Sequence, residues 1–179
     1  MSSLNLANVD CYKNKVKLGT KGAEELGNLL RHPMCLISHL DLTDNALTTD
    51  ALSHIITGVK TCKSLVSLNL SQNDMGQSNS VFNQLLSIFR TGDSDLQELN
   101  LSDSQLTDKH LEEMANVFKQ DRKLNLSILN LSANSKCMPS AFAHIIASLA
   151  NNSQVPISRL ILNNNDLEVS KKTNSTAFF

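Results

Sequence analysis

The chain has 179 residues, 41% hydrophobic but only 4% aromatic, with no Trp and a single Tyr. That composition suits one continuous domain whose core is built from aliphatic side chains rather than rings. Sixteen basic residues against seventeen acidic ones give a net charge of -1. The nearest approach to a basic stripe is the scatter Lys13, Lys15, Lys17 and Lys21 with the pair Lys171–Lys172. Such a scatter reads as a solvated edge, which argues against a nucleic-acid partner.

Taken in chain order, the first element is the strand-like Met1-Ser-Ser-Leu4-Asn-Leu6, followed by a clear helix start from Leu18 through Gly22 to Leu30. A phrase then recurs. Ile37-Ser-His-Leu40-Asp-Leu42-Thr-Asp-Asn45-Ala-Leu47 returns as Leu65-Val-Ser-Leu68-Asn-Leu70-Ser-Gln-Asn73-Asp-Met75, and again from Leu96, Leu126 and Ile157. This is L-x-x-L-x-L-x-x-N-x-L, the leucine-rich repeat signature. The starts are 28, 31, 30 and 31 residues apart, long enough for a strand, a turn and a full helix in each unit.

Within the phrase, alternation turns one set of side chains inward. The inward pairs are Leu40/Leu42, Leu68/Leu70, Leu99/Leu101, Leu129/Leu131 and Leu160/Leu162. The ninth position carries Asn45, Asn73, Asn134 and Asn165, with Ser104 substituting once, and is expected to tie the backbone where the chain leaves the strand. Between phrases, apolar residues recur at i, i+3, i+4 and i+7: Leu52, Ile55, Ile56, Val59; Phe82, Leu85, Leu86, Phe89; Leu111, Met114, Ala115, Phe118; and Phe142, Ile145, Ile146, Leu149. Thr49-Asp50, Thr107-Asp108 and Pro139 mark helix starts. His54 and His144 stand in equivalent Ser/Ala-His-Ile-Ile contexts, so their recurrence follows from the repeat rather than from a shared metal site.

The expected architecture is therefore an α/β leucine-rich repeat solenoid. A parallel sheet lines its concave face and helices cover its convex face. It has about six repeats over residues 1–169, starting near 1, 37, 65, 96, 126 and 157, followed by a tail over 170–179. The first unit is irregular: about seven extra residues fall within Asn8 to Val16 and carry Tyr12, a candidate interface anchor. Phe178 and Phe179 are candidates to cover the open end of the core.

Cys11, Cys35, Cys62 and Cys137 form no C-x-x-C and no metal-ligand spacing. With no clustered cysteine caps, no signal-like hydrophobic stretch and no segment of membrane-span length, a reducing, cytoplasmic setting is expected and no membrane role. The N-x-S/T triplets at Asn69, Asn100 and Asn130 arise from the repeat itself.

The segment Leu18-Gly-Thr-Lys-Gly22-Ala-Glu-Glu-Leu26-Gly-Asn-Leu29-Leu30 resembles the L-G-x-x-G-x-x-x-L-x-x-x-L helix of ribonuclease-inhibitor-like leucine-rich repeats. The resemblance covers nearly the whole chain and implies a curved solenoid that binds proteins on its concave face. The outward strand positions then become the candidate partner-binding residues: His39, Asp41, Asn69, Glu98, Asn100, Ile128, Asn130, Arg159 and Ile161. They make a small, polar, nearly uncharged surface, apart from Ile128 and Ile161 with Arg159, where self-association is also conceivable. No paired carboxylates, Gly-rich phosphate loop or Ser/His/Asp arrangement emerges, and no cofactor is implied. The leading expectation is a non-enzymatic module that docks a protein partner on its concave face, as a bacterial effector in a host cell, with a fragment of a larger eukaryotic leucine-rich repeat scaffold as one alternative. Regulation of a small GTPase, by resemblance to the Ran GTPase-activating protein, is the other alternative.

Overall fold

The computed structural model describes residues 2–6, 18–90, 94–120 and 124–167. Tyr12, Cys11, the Asn8–Val16 insertion and the Phe178–Phe179 tail lie outside them. The elements run β1 (Ser2–Asn5), α1 (Gly19–Arg31), β2 (Ile37–Asp41), α2 (Thr49–Thr61), β3 (Ser67–Asn69), α3 (Asn79–Arg90), β4 (Glu98–Asn100), α4 (Asp108–Phe118), β5 (Ile128–Asn130), α5 (Pro139–Ala150) and β6 (Arg159–Ile161). A 3-10 turn at Met75–Gln77 precedes α3.

The strands form one parallel sheet in sequence order, β1-β2-β3-β4-β5-β6. Each unit is joined to the next by a helix, and parallel neighbours require such crossovers. The register is that of the repeat: Leu40 pairs with Leu68, Leu68 with Leu99, Leu99 with Leu129 and Leu129 with Leu160. These leucines and the second set, Leu42, Leu70, Leu101 and Leu131, meet the buried helix stripes in one continuous core. No unit could bury its apolar face alone, so stacking is what makes the fold stable.

The helix stripes follow the sequence period with one exception. Phe142, Ile145 and Leu149 are buried in α5, but Ile146 is 48% exposed. Position i+4 of this last helix lies at the edge of the stripe. Thr48 caps α2, its hydroxyl accepting from Ala51 N–H at 3.2 Å, and Pro139 occupies the first turn of α5. No helix among the described residues is long and apolar enough to cross a membrane.

Beyond the strands the chain turns through a left-handed residue in five units: Asp44, Gln72, Asp103, Ala133 and Asn164, all with φ between 49° and 58°. The residue after each is the ladder position. Asn73 Nδ2 donates to Leu70 O in its own unit and to Leu42 O in the unit before, at 3.1 and 2.9 Å. Its Oδ1 accepts from Asn45 N–H and Leu47 N–H at 3.1 and 3.2 Å. Asn134 repeats the pattern on Leu131 O, Leu101 O, Ser104 N–H and Leu106 N–H. Full satisfaction of these buried amides offsets the cost of taking them out of solvent.

Ser104 is too short to reach back as an asparagine does. Its hydroxyl bonds Ser102 O within its own unit at 3.2 Å. The preceding unit closes up instead: Met75 N–H turns onto Asn73 O at 2.7 Å, and Gly76 N–H donates to Ser104 O at 3.0 Å. A Cβ on Gly76 would stand 1.9 Å from Gln105 O, so glycine alone fits this contact. The shortened side chain, the 3-10 turn and the glycine form one local solution.

Candidate functional site

The face of the sheet away from the helices carries two registered columns. One runs His39, Ser67, Glu98, Ile128, Arg159; the other runs Asp41, Asn69, Asn100, Asn130, Ile161. The fold thus brings nine residues expected at the partner surface onto one face. Arg159 is exposed and the other eight are half-buried, the two isoleucines included. Ile128 stands opposite Arg159, and Ile161 opposite Asn130, so the isoleucines meet diagonally rather than side by side.

Residues of β3 to β6 line a shallow hollow of about 380 Å³ on this face, bordered by Asn69, Glu98, Asn100, Ile128, Arg159 and Ile161. Its floor is backbone held in the parallel ladder, which makes it rigid. Acidic groups (Asp41, Glu98) sit on earlier strands and the guanidinium of Arg159 on the last, so the face is polarised along the sheet.

The second column has a structural duty that its spacing alone did not reveal. Asn69 Oδ1 accepts from Ser71 N–H and Ser71 hydroxyl at 3.1 and 2.8 Å. Asn100 Oδ1 accepts from Ser102 N–H and Asn130 Oδ1 from Ser132 N–H, each at 3.0 Å. Asp41 Oδ1 does the same for Thr43 N–H at 2.9 Å. Each of the three successive asparagines thus spends at least one lone pair of its amide oxygen on a turn, and its Nδ2 amino group adds a donor toward a partner. Asp41 offers an acceptor. The column is therefore a directional row: acceptor, three donors, then the apolar Ile161.

On the helical side an open groove of about 390 Å³ separates α4 from α5, bordered by Glu112, Asn116, Lys119, His144 and Asn151. It exists because the facing positions are small: Ala115, Ala147 and Ser148. That run of small residues was the available signal for it. His144 edges this groove, whereas His54 lies on α2 and its carbonyl meets α1; a Cβ at Gly27 would stand 2.6 Å from His54 O.

No family model matches the chain. A stretch of 118 residues, 66% of the chain, is 31% identical to human NACHT, LRR and PYD domains-containing protein 13 and spans only 11% of that protein's length. Among solved structures, one described as leiomodin-1 actin-binding site 2 aligns over 85% of this chain and 80% of its own, with a TM-score of 0.61 and 18% identity. The tropomodulin C-terminal domain of Caenorhabditis elegans aligns over 65% of each chain, at 13% identity and a TM-score of 0.49. The fold is that of a leucine-rich repeat solenoid. At this level of identity the leiomodin likeness concerns backbone architecture, and the sheet-face residues stand on their own geometry.

Proposed function

We propose that this protein is a docking module that holds a protein partner against the open sheet face, without chemistry of its own. The observation that carries the reading is the hollow over β3 to β6, where a donor row, two isoleucines and Arg159 converge on one rigid floor. Rigid presentation lowers the ordering cost of binding. The partner that fits presents hydrogen-bond acceptors to Asn69, Asn100 and Asn130, an apolar contact to Ile128 and Ile161, and a carboxylate to Arg159. Leucine-rich repeat solenoids that dock proteins, such as the fragment described as an actin-binding site, support the use of this architecture for that purpose. Units of about thirty residues with complete helices, and the Leu18–Leu30 segment, favour the ribonuclease-inhibitor-like class.

The test exploits the turn geometry. Asn100→Asp/Asn130→Asp keeps the oxygen that each turn requires and converts the outward donor to an acceptor. Wild type, this double variant, Ile161→Lys and the helical-side Glu112→Lys are compared in capture from eukaryotic lysate and in direct actin co-sedimentation. A protein held by wild type and Glu112→Lys but lost from both sheet-face variants establishes the site. Retention by the sheet-face variants with loss from Glu112→Lys would move it to the α4–α5 groove.

A further inference from the structure

Cys35 and Cys62 belong to successive units, yet their Sγ atoms lie 3.9 Å apart. The backbone fixes both. Cys35 sits in the turn after α1, its N–H donating to His32 O at 2.9 Å. Cys62 ends α2, its N–H shared between Gly58 O and Val59 O at 3.1 and 3.2 Å. Ser64 pins the strand start between them, donating to Ile37 O at 2.9 Å and lying 3.4 Å from Cys62 Sγ. A disulfide has an S–S length of about 2 Å, so bond formation requires the two side chains to close by roughly 2 Å between them.

The pair is asymmetric in access. Cys62 is 8% exposed, while Cys35 is half-buried and flanked by Met34 and Leu36, which are 74% and 73% exposed. One thiol is reachable from solvent and the other waits behind it.

We propose that Cys35 and Cys62 form a modification site, a reversible disulfide between the first two helical units, closed by exchange with a small-molecule disulfide such as oxidised glutathione. Cys35, as thiolate, attacks one sulfur of the oxidised glutathione. Its own proton goes to solvent, a Cys35–glutathione bond forms, and one glutathione thiolate leaves and is protonated. Cys62 then gives up its proton and attacks the Cys35 sulfur, forming the Cys35–Cys62 bond and expelling the second glutathione thiolate. Two protein thiols are oxidised, and one glutathione disulfide is reduced to two thiols. Burial raises the Cys35 thiol above its usual range, so the first attack accelerates as pH rises. Closure draws the 32–36 turn toward the end of α2 and changes how Met34 and Leu36 are displayed. The state of the pair thereby sets the apolar rim of the first unit. This inference is independent of the docking reading.

Cys137 is an internal reference: it is 3% exposed, and burial pushes its thiol up to about 12. Trypsin separates the thiols by cutting after Arg31, Lys60, Lys63 and Lys136, placing Cys35 in 32–60 and Cys62 in 61–63. Full-length protein is incubated with oxidised glutathione, alkylated, digested and weighed. The expected product is peptide 32–60 joined to 61–63 with the loss of two hydrogens, reversed by dithiothreitol, with Cys137 still alkylated. In Cys62→Ser, Cys35 stalls as a glutathione adduct; in Cys35→Ser, Cys62 stays reduced over the same interval. Circular dichroism confirms that each variant is folded. A persistent Cys35–glutathione adduct in wild type, a bridge from Cys35 to Cys11, or no modification at all would each overturn the proposal.

Discussion

His110 opens α4 with a buried ring whose two nitrogens have different fates. Thr107 N–H donates to Nδ1 at 3.1 Å, so Nδ1 holds a lone pair and Nε2 holds the proton. Among the described residues Nε2 finds no hydrogen-bond partner, and the ring packs edge-on to Phe82 with centroids 4.8 Å apart. Desolvation lowers its pKa from the ordinary 6.5, outweighing the attraction of nearby Glu113. The unfolded chain therefore binds a proton near pH 6.5 that the folded chain refuses until lower pH. Stability contributed by the neutral ring is complete above that pH and falls as pH drops below it, because protonation both charges a buried ring and removes the acceptor for Thr107 N–H. Urea titrations at pH 7.5 and 5.5 should show a lower midpoint at the acid value in wild type. In His110→Gln that acid loss should shrink, and an equal loss in both proteins would refute the assignment. Ala133 makes a second residue-scale point. It holds φ of 57° without glycine's freedom or asparagine's local hydrogen bonding. Ala133→Asn should raise stability by about 0.5–1 kcal/mol by denaturant unfolding, the scale of backbone effects at such positions.

At the level of elements, the junction between the third and fourth units rests on Gly76. Any side chain there meets the backbone oxygen of Gln105 rather than a yielding side-chain tip. Gly76→Ala should cost roughly 1–3 kcal/mol, the scale of overpacking in a tight interior. Hydrogen exchange should place the loss at the Met75–Gln77 turn and the start of α3. If the loss appears instead in α1 and α2, the contact is not the cause. The existence and order of the strands and helices were legible in the leucine and asparagine positions, because those residues recur at the same place in successive units. What was not legible depends on how units meet. Ser104 was readable as a substitution, but its compensation by Gly76 requires knowing how closely the two turns approach. Cys35 and Cys62 are 27 residues apart at non-equivalent positions of their units, so no repeat pattern flags their meeting. The nine outward residues were readable from alternation, whereas the commitment of Asn69, Asn100 and Asn130 oxygens to turns was not. Ile146 fits the helical period and still faces solvent, since period alone does not fix the width of the buried stripe.

Across the whole molecule the asparagine ladder has a direction. Asn45 reaches back to Leu6 O, Asn73 to Leu42 O, Asn134 to Leu101 O and Asn165 to Leu131 O. The acceptors run the same way, with Asn165 Oδ1 taking Asn134 N–H at 2.7 Å. Each turn is therefore completed by the unit that follows it, and the two ends of the solenoid are not equivalent. Deleting residues 157–179 leaves Leu131 O without Asn165 and Ala133 N–H without Asn163 O. Amide exchange should then quicken across 128–137 while α1 and α2 keep their protection. Uniform loosening along the chain would contradict a nearest-neighbour solenoid.

That direction runs against the order of synthesis. A ribosome releases the amino-terminal unit first, and that unit waits for the asparagine of its successor before its turn can be closed. The nascent chain therefore settles about one unit behind its own emergence, carrying an open turn at its growing end throughout translation. Arrested chains stopped just before and just after Asn73 should differ in the protease resistance of the Asn45 turn, although that turn's own residues are outside the exit tunnel in both when a sufficient spacer is added.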